Sequence, residues 1–562
     1  MTRVARVDSA RTSTASRSGR TRNSPGVLLL NGNARCSPEV LGNKGCGIDL
    51  MRRQSLPVPS AFGIGAEVGA RYLAEPGPTM DAIWDDVLDG MRWLEVETSS
   101  TFGRGAHPLL VSVRSGAAQS MPGMMDTLLN LGINDAVEAA LAATSSPEFA
   151  ADTHRRFTRM YRHVVAGELA NGRHGTAPMP VPTDPYEQLR AGIEAVFASW
   201  HSPRAVAYRA HHRLDERSGT AVIVQAMVFG NRGTNSGAGV LCSRNPITGS
   251  AEPFGEWLPG GQGDDVVSGL VNVQPIGALR DTQPAAYAQL MAAAGRLERL
   301  AADIQEIEFT VEDGTLWLLQ TRAAERSAQA AVRLALQLRR EGLINDVETL
   351  RRVNPAHVEA LTMPSLQPET RLTAPLLATG LAACPGVVSG RAYTDVDEAL
   401  RAAERGEEVI LVRGHTRPDD ILGMVAARGV VTEVGGASSH AAVVSRELGR
   451  VAVVGCGNGA AAALAGKQIT VDGTEGEVRA GTLKLSAWSE SDTPELRELA
   501  AIARRVSPLR AHSAGEYPRL ESSSDTEVRN ALAAGHTDVV SGAPLVTMLT
   551  AMRAAGRDAP TR

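Results

Sequence analysis

The chain has 562 residues, 43% of them hydrophobic and 21% charged, with 57 basic against 62 acidic side chains for a net charge of −5. That composition supports several packed domains, roughly three or four at ~150 residues each, and excludes global disorder; the mild acidity does not suit a nucleic-acid binder. No run of 18 or more apolar residues is present, so no transmembrane helix is expected. The cysteines, Cys36, Cys46, Cys242, Cys384 and Cys456, are scattered and form no CxxC pair, which indicates neither a zinc knuckle nor a disulfide framework and fits a reducing cytoplasm. Lysine is scarce (only Lys44, Lys467 and Lys484), a bias that makes each one a weak hint of a specific need.

Residues 1–24 are rich in Arg, Ser and Thr and read as a disordered basic tail, although transit peptides share this composition. Order is expected from Val27, where VLLL reads as a buried strand. A glycine turn, a helix near 46–54 and a strand after LPVP follow. PLLVSVRSGA (108–117) is a strand running into a turn. Residues 123–200 read as mostly helical, with a Pro-rich break at 177–186. AVIVQAMVFG (221–230) is a buried strand, and 239–263 continues the β-rich stretch. EIEFTVEDGTLWLLQTR (306–322) alternates and turns at Asp313-Gly314, a strong hairpin signal.

Residues 323–345 form a long amphipathic helix by periodicity, and 346–375 a helical linker. Between 376 and 486 VILVRG and GVVTEV read as strands, with a helix starting near Pro418. VAVVG and QITVDG close that unit. TPELRELAAIARR (493–505) is a helix with Thr493 as N-cap and Pro494 in its first turn. Residues 506–562 are Ser-, Ala- and Gly-rich and poor in core residues.

Three clusters carry chemistry. In GGASSHAAVVSREL, a glycine turn (Gly435, Gly436) and two serines (Ser438, Ser439) bring His440 to the start of a helix. Unpaired backbone N–H groups and the helix dipole there would hold a phosphoryl group on the imidazole, which is a good nucleophile at neutral pH. The competing reading is a turn histidine satisfied by a cap hydrogen bond. In the hairpin, Glu306 and Glu308 share one strand face, and Gln320 and Arg322 share one face of the partner. Oxygens of Glu308 and Gln320 suit Mg²⁺ and Arg322 suits a phosphate; a solvated hairpin face with a cross-strand ion pair is the alternative. Lys44 and Arg114 each read as lying at a glycine-rich turn beside a strand, suited to nucleotide phosphates, without a Walker motif.

In order, GNKG, LPVP, LLVSVRSGAAQSMPGMMDTLLNLG, VQAMVFGN, SGAGVLCSRNP, GEWLPGGQGDDVVSG, EIEFT…LQTR and GGASSHAAVVSR resemble the pyruvate, phosphate dikinase family over about residues 27–490. The resemblance implies a multidomain α/β and α+β chain. Its expected parts are an ATP-grasp nucleotide domain (25–330), a helical linker (331–375), a swivelling β/β/α phosphohistidine domain (376–486), and a linker helix with a remnant of a TIM-type barrel (487–562). It implies that Lys44, Arg114 and Arg322 contact phosphates and that Glu306 serves the nucleotide. Gln225, Met227 and Val228 would form the adenine edge, and Glu308 and Gln320 would hold Mg²⁺. His440, supported by Gly435, Gly436, Ser438 and Ser439, would take the β,γ-pyrophosphoryl of ATP and release AMP. Orthophosphate would then take the γ-phosphoryl and leave as pyrophosphate, and the phosphoryl remaining on His440 would pass to pyruvate.

Two departures stand out within the motifs. Glu306 occupies a position that is usually aspartate in the family, and Ser438 one that is usually threonine, a regulatory phosphorylation site in some members. A TIM barrel needs eight strand–helix units, and 507–548 resembles only the first strand–helix–strand. The pyruvate site is therefore expected on a separate chain. A homodimer is one expected assembly. The alternatives are transfer to another acceptor, as in phosphoenolpyruvate synthase or antibiotic phosphotransferases, or a degenerate regulatory nucleotide binder. Swivelling implies hinges near 365–378 and 486–494.

Overall fold

A computed structural model of the chain describes residues 26–557, apart from 35, 120, 122, 166–179, 213, 216–218, 269–270, 272, 363–364, 367–369, 371–372, 487–489 and 491–492. The tail expected at 1–24 and most of the first half of the Pro-rich break lie outside the described residues.

Strands β1 (Val27–Leu29), β2 (Ala61–Ile64), β3 (Val111–Gly116), β4 (Thr127–Leu131) and β5 (Ala221–Ala226) form an antiparallel sheet in the order β1-β2-β5-β3-β4. Every residue of β5 is buried, as the apolar run Ala221–Val224 suits a central strand covered on both faces. Helix α1 (Pro38–Arg53) connects β1 to β2. It begins eight residues before the expected start at 46, with Pro38 in its first turn, and its glycines hide it from a propensity reading. Gly42 interrupts it at φ 66°, and a side chain there would collide with the backbone of Gly116.

A second antiparallel sheet joins β6 (Gly237–Cys242), β7 (Phe254–Pro259), β8 (Gln274–Pro275), β9 (Gln305–Glu312) and β10 (Thr315–Ala323) in the order β8-β7-β6-β9-β10. Helix α1 is wedged between the sheets, and Ile48 and Met51 share one core with Ile223, Leu241, Trp257, Ile307 and Phe309. Each fully buried side chain of this size contributes about 1.5–3 kcal/mol, so the two sheets are held as one body around α1.

The stretch 123–200 is not purely helical, because TLLNL forms β4. Its helices include Pro147–Val164, which buries Phe149, Ala150, Thr153, Phe157 and Tyr161, and Pro185–Ala198, which the Pro-rich break leads into. The amphipathic helix expected at 323–345 is shorter. Strand β10 runs through Ala323, and α2 (Ala328–Arg340) starts only where the Ser327 hydroxyl accepts from the Ala330 N–H at 3.1 Å.

A mixed eight-stranded sheet follows: β11 (Leu376–Thr379), β12 (Leu381–Cys384), β13 (Val387–Tyr393), β14 (Val409–Arg413), β15 (Gly429–Thr432), β16 (Val451–Val454), β17 (Gln468–Asp472) and β18 (Glu477–Ala480). Its order is β11-β18-β17-β13-β14-β15-β16-β12. Only β13 to β16 pair in parallel. Helix α3 (His440–Leu448) connects β15 to β16, the crossover that parallel neighbours need.

The last region corrects the sequence reading. Helices α4 (Pro494–Val506), α5 (Asp525–Ala533) and α6 (Pro544–Arg557) surround β19 (Arg510–His512) and β20 (Asp538–Val540), a parallel pair. Far from lacking core residues, this segment buries Leu496, Leu499, Leu509, Val528, Val539, Leu545, Met548 and Leu549 together with Val332, Leu336, Leu350 and Val358 of the stretch read as a linker. Small apolar residues at helical spacing conceal a core when their partner helices lie 150 residues away. The two expected hinges meet as well: Ser365–Leu366 pairs with Leu485–Ser486 in a two-stranded ladder, while 367–369, 371–372, 487–489 and 491–492 lie outside the described residues. No helix among the described residues is long and apolar enough to cross a membrane.

Candidate active site

The two sheets of the first body and the start of α3 enclose a cavity of about 1290 Å³. Lys44, Arg114, Glu306, Glu308, Gln320, Arg322, Ser438 and His440 all line it, so residues from four distant segments converge on one space.

Hairpin β9–β10 supplies its acidic and amide groups. Asp313 and Gly314 both take positive φ, 48° and 80°, which suits a tight two-residue turn. The resulting register places Glu306 opposite Arg322 and Glu308 opposite Gln320, with a bulge between Glu308 and Phe309. Arg322 donates to Glu306 Oε1 through Nη2 at 2.6 Å and Nε at 2.9 Å. The Gln320 amide donates to Glu308 Oε1, while Arg114 Nη2 reaches Glu308 Oε2 at 2.7 Å. Burial pushes the Glu308 pKa up, but Arg114 and Lys44 outweigh it, and the carboxyl is held below its ordinary range.

Lys44 and Arg114 do not sit at turns. Lys44 is within α1, just past the Gly42 interruption, where Asn43 N–H donates to Ala117 O at 3.2 Å. Arg114 is in mid-strand in β3. Gly47 lets α1 approach β10 closely: a side chain there would stand 3.0 Å from Thr321 O. Lys44 is thereby held near Glu308 and Arg322. Burial, then the neighbouring Arg114 and Arg322, lower its pKa to about 7 against the pull of Glu308.

His440 enters from the other side. Beyond β15 the chain reverses at Gly435, with φ 120°, and Ser439 caps α3 by accepting from the Ala442 N–H at 3.4 Å. His440 Nδ1 lies 3.0 Å from Thr416 Oγ1. Its Nε2 is buried and has no hydrogen-bond partner among the described residues, and it faces Gly123, where a side chain would stand 3.2 Å from it. Burial, helped by Arg204 and opposed by Asp420, lowers the imidazole pKa to about 4. The ring is therefore neutral at physiological pH and keeps a lone pair, the state a nucleophile needs.

The glycine turn also makes a contact that sequence reasoning missed. Glu256 of β7 accepts from the N–H groups of Ala437 at 2.5 Å and Ser438 at 3.1 Å, and from the Ser438 hydroxyl. A side chain on Gly436 would occupy the place of that carboxylate. Thr416 and Gly123 were likewise unforeseen. Nothing local in GEWLPGG or RGHTRP marks them, since both act only through segments distant in sequence.

Three expected residues are not at the cavity. Gln225, Met227 and Val228 do not line it. Gln225 is 2% exposed and its amide is spent on Pro59 O at 3.3 Å, while the Met227 N–H pairs with Leu110 O at 2.9 Å. The cavity wall instead includes Met121, Met125, Tyr208 and Val240.

Gln320 Oε1 is buried without a donor among the described residues. Together with the ionised Glu308 it offers the oxygen donors a hard divalent cation takes, so these residues fit Mg²⁺. Lys44, Arg114 and Arg322 give the same space three cationic groups suited to a polyphosphate.

The AMP/ATP-binding domain of pyruvate phosphate dikinase matches residues 83–289, and the mobile domain of PEP-utilising enzymes matches 406–476. The chain is 38% identical over 505 residues to the pyruvate, phosphate dikinase of Clostridium symbiosum, covering 81% of this chain and 58% of that one. It is 39% identical to pyruvate, phosphate dikinase 2 of Zea mays, covering 80% and 56%, and 36% identical to the chloroplastic dikinase 1 of Arabidopsis thaliana, covering 85% and 54%. The chain thus spans somewhat more than half the length of these curated relatives, and with both domains matched and this identity sustained along four fifths of it, the chain belongs to the pyruvate, phosphate dikinase family.

Proposed function

We propose that this chain carries out the nucleotide half of the dikinase reaction. The observation that carries the reading is His440 Nε2, unpartnered and buried, in one cavity with Lys44, Arg114, Arg322, Glu308 and Gln320. The two facing antiparallel sheets are read as the ATP-grasp, and the eight-stranded sheet with α3 as the swivelling phosphohistidine domain.

The neutral imidazole attacks the β-phosphorus of ATP. A nitrogen–phosphorus bond forms, the bond from that phosphorus to the bridging oxygen of AMP breaks, and AMP leaves with the bridging oxygen's electron pair. Orthophosphate then attacks the γ-phosphorus of the histidine-bound pyrophosphoryl and departs as pyrophosphate, leaving phosphohistidine. Pyruvate, named in the relatives, is the proposed final acceptor. Lys44, Arg114 and Arg322 hold the triphosphate and offset the charge spread over its oxygens in the transition state, the main contribution a protein makes to phosphoryl transfer. Glu308 and Gln320 would hold Mg²⁺, which supplies further neutralisation of phosphate charge when bound.

Passing the phosphoryl on requires His440 to leave this cavity. The interface it must break comprises an apolar patch in which Met121, Met124, Trp200 and Tyr208 meet Ile421, Met424, Ala441 and Val444, together with the Glu256 hydrogen bonds to Ala437 and Ser438. Such intramolecular interfaces permit rigid-body rotation about short linkers, and the paired segments 365–366 and 485–486 are the proposed pivot.

The test is incubation with Mg²⁺ and ATP labelled at the β-phosphate. Acid-labile label should appear on the parent chain with release of AMP, and on neither His440→Ala nor Glu308→Ala, both folded by circular dichroism. Label on His440→Ala, or none on the parent despite bound nucleotide, overturns the reading.

A further inference from the structure

Cys36 and Cys46 are ten residues apart in sequence, and the fold brings their Sγ atoms to 3.1 Å. Cys36 lies just before the cap of α1, and Cys46 lies past the Gly42 interruption, so the chain folds back at this glycine to bring the two thiols together. Both are free and partly exposed. The other three thiols of the chain, Cys242, Cys384 and Cys456, lie far from this pair in the sequence and are also raised by burial.

We infer that Cys36 and Cys46 form a reversible disulfide that governs the nucleotide cavity. The sulfurs are already in contact: a disulfide needs about 2.05 Å between them, so closure brings them ~1 Å closer. The two thiols are also chemically unequal. The hydrogen bond from Cys46 lowers the Cys36 pKa, while the same bond and burial raise that of Cys46, which marks Cys36 as the attacking thiolate. With hydrogen peroxide as oxidant, the Cys36 thiolate attacks one peroxide oxygen, the O–O bond breaks, and sulfenic acid and hydroxide form. Cys46 sulfur then attacks Cys36 sulfur, the S–O bond breaks, and the thiol proton leaves with the oxygen as water. Two thiols lose two electrons in total and the peroxide gains them; a dithiol reverses the step by exchange.

The consequence follows from where the pair sits. Cys46 lines the cavity, two residues from Lys44. The helix cannot move freely, because Gly45 and Gly47 pack closely against Leu41, Ile223 and Thr321. Nor can the segment before it, which Asp49 holds by accepting from the N–H groups of Gly32 at 2.8 Å and Ala34 at 3.2 Å. Between the two thiols, Gly42 and Asn43 touch Gly116 and Ala117 of the cavity lip. Lys44 lies in the chain between the two thiols, so closure acts on the segment that places it, and a misplacement of ~1 Å at a positioned group costs up to ~10²-fold in rate. The disulfide itself stands on geometry alone; only its effect on His440 labelling rests on the function proposed above.

The full chain, Cys36→Ser and Cys46→Ser are to be exposed to graded hydrogen peroxide, alkylated, digested and mapped by mass. The parent should give a linked Cys36–Cys46 peptide pair, two hydrogens lighter than the reduced pair and restored by dithiothreitol, with neither variant giving it. MgATP affinity, read by titration calorimetry, should fall at least about tenfold on oxidation in the parent and stay unchanged by peroxide in Cys36→Ser. Alkylation of both residues after Cys456 has oxidised overturns the disulfide. A linked pair with unaltered MgATP affinity overturns its control of the cavity. Normal affinity change without any His440 label in the reduced parent would instead count against the proposed function alone.

Discussion

Two partly buried ionisable groups lining the cavity have displaced pKa values whose consequences can be read separately. Lys44, lowered to about 7 by burial and by Arg114 and Arg322, is largely neutral above that pH in the free chain. A bound triphosphate favours its charged form, so binding must draw in protons. Calorimetry of MgATP binding in buffers of differing ionisation enthalpy should find uptake of about one proton at pH 8 and almost none at pH 6, and equal values at both would remove Lys44 from phosphate contact. Glu447, two turns along α3 from His440, also lines the cavity. Burial raises its carboxyl to about 7 from an ordinary 4.5, and its Oε2 has no partner among the described residues. Between those values the unfolded chain has released a proton that the folded chain keeps. Stability therefore falls as pH rises across this window and levels off above it. Relative to Glu447→Gln, the parent should lose melting temperature between pH 5 and 7; parallel profiles would show that the residue titrates normally.

At the scale of elements, glycine decides what α1 can do. Gly42 takes φ 66° against the end of β3, a conformation other residues reach only at a cost of about 1 kcal/mol or more, and an added Cβ collides with Gly116. Gly42→Ala should weaken MgATP binding by about tenfold or more, since Lys44 is placed by that interruption. Gly77→Ala is the control: nothing lies within 4 Å of its added Cβ, and inside the helix Pro76–Thr98 alanine should stabilise by about 0.5–1 kcal/mol. Equal effects of the two changes would mean that the interruption does not position Lys44. The hairpin was legible in advance because its information is local. Alternation names the faces, and Asp313-Gly314 fixes the register that pairs Glu306 with Arg322 and Glu308 with Gln320. Helix α1 was less legible because three glycines within it contradict helix propensity and are selected by the close approach of two sheets.

At the scale of the whole molecule, the stretch read as a linker and the C-terminal segment share a core. Leu499 is fully buried in it, and truncating such a leucine costs about 2–5 kcal/mol. Leu499→Ala should accelerate hydrogen exchange in both 328–358 and 494–551, with the two sheets around α1 unaffected. Acceleration confined to 494–551 would restore the linker as an independent element. Ion pairs cross the same boundary, Arg333 to Glu495 at 2.9 Å and Arg505 to Asp346 at 3.0 Å. Exposed pairs of this kind contribute about 0–1 kcal/mol each, so the apolar core and not the charges joins the segments.

The amino-acid sequence by itself determined most strands of the first two sheets, the four strands Val409–Arg413, Gly429–Thr432, Val451–Val454 and Gln468–Asp472 of the third, the hairpin with its facing residues, and His440 at the opening of a helix, because periodicity, turn residues and caps act over a few positions. It also carried the family resemblance, spread over long motifs. Only the tertiary structure decided that Gln225 spends its amide on Pro59, that Glu256 reaches across to the turn before His440, that Lys44 sits within a helix, and that Cys36 meets Cys46. Each of these depends on a close approach between segments far apart in the chain, and such distances are set by packing, which no local pattern of residues encodes.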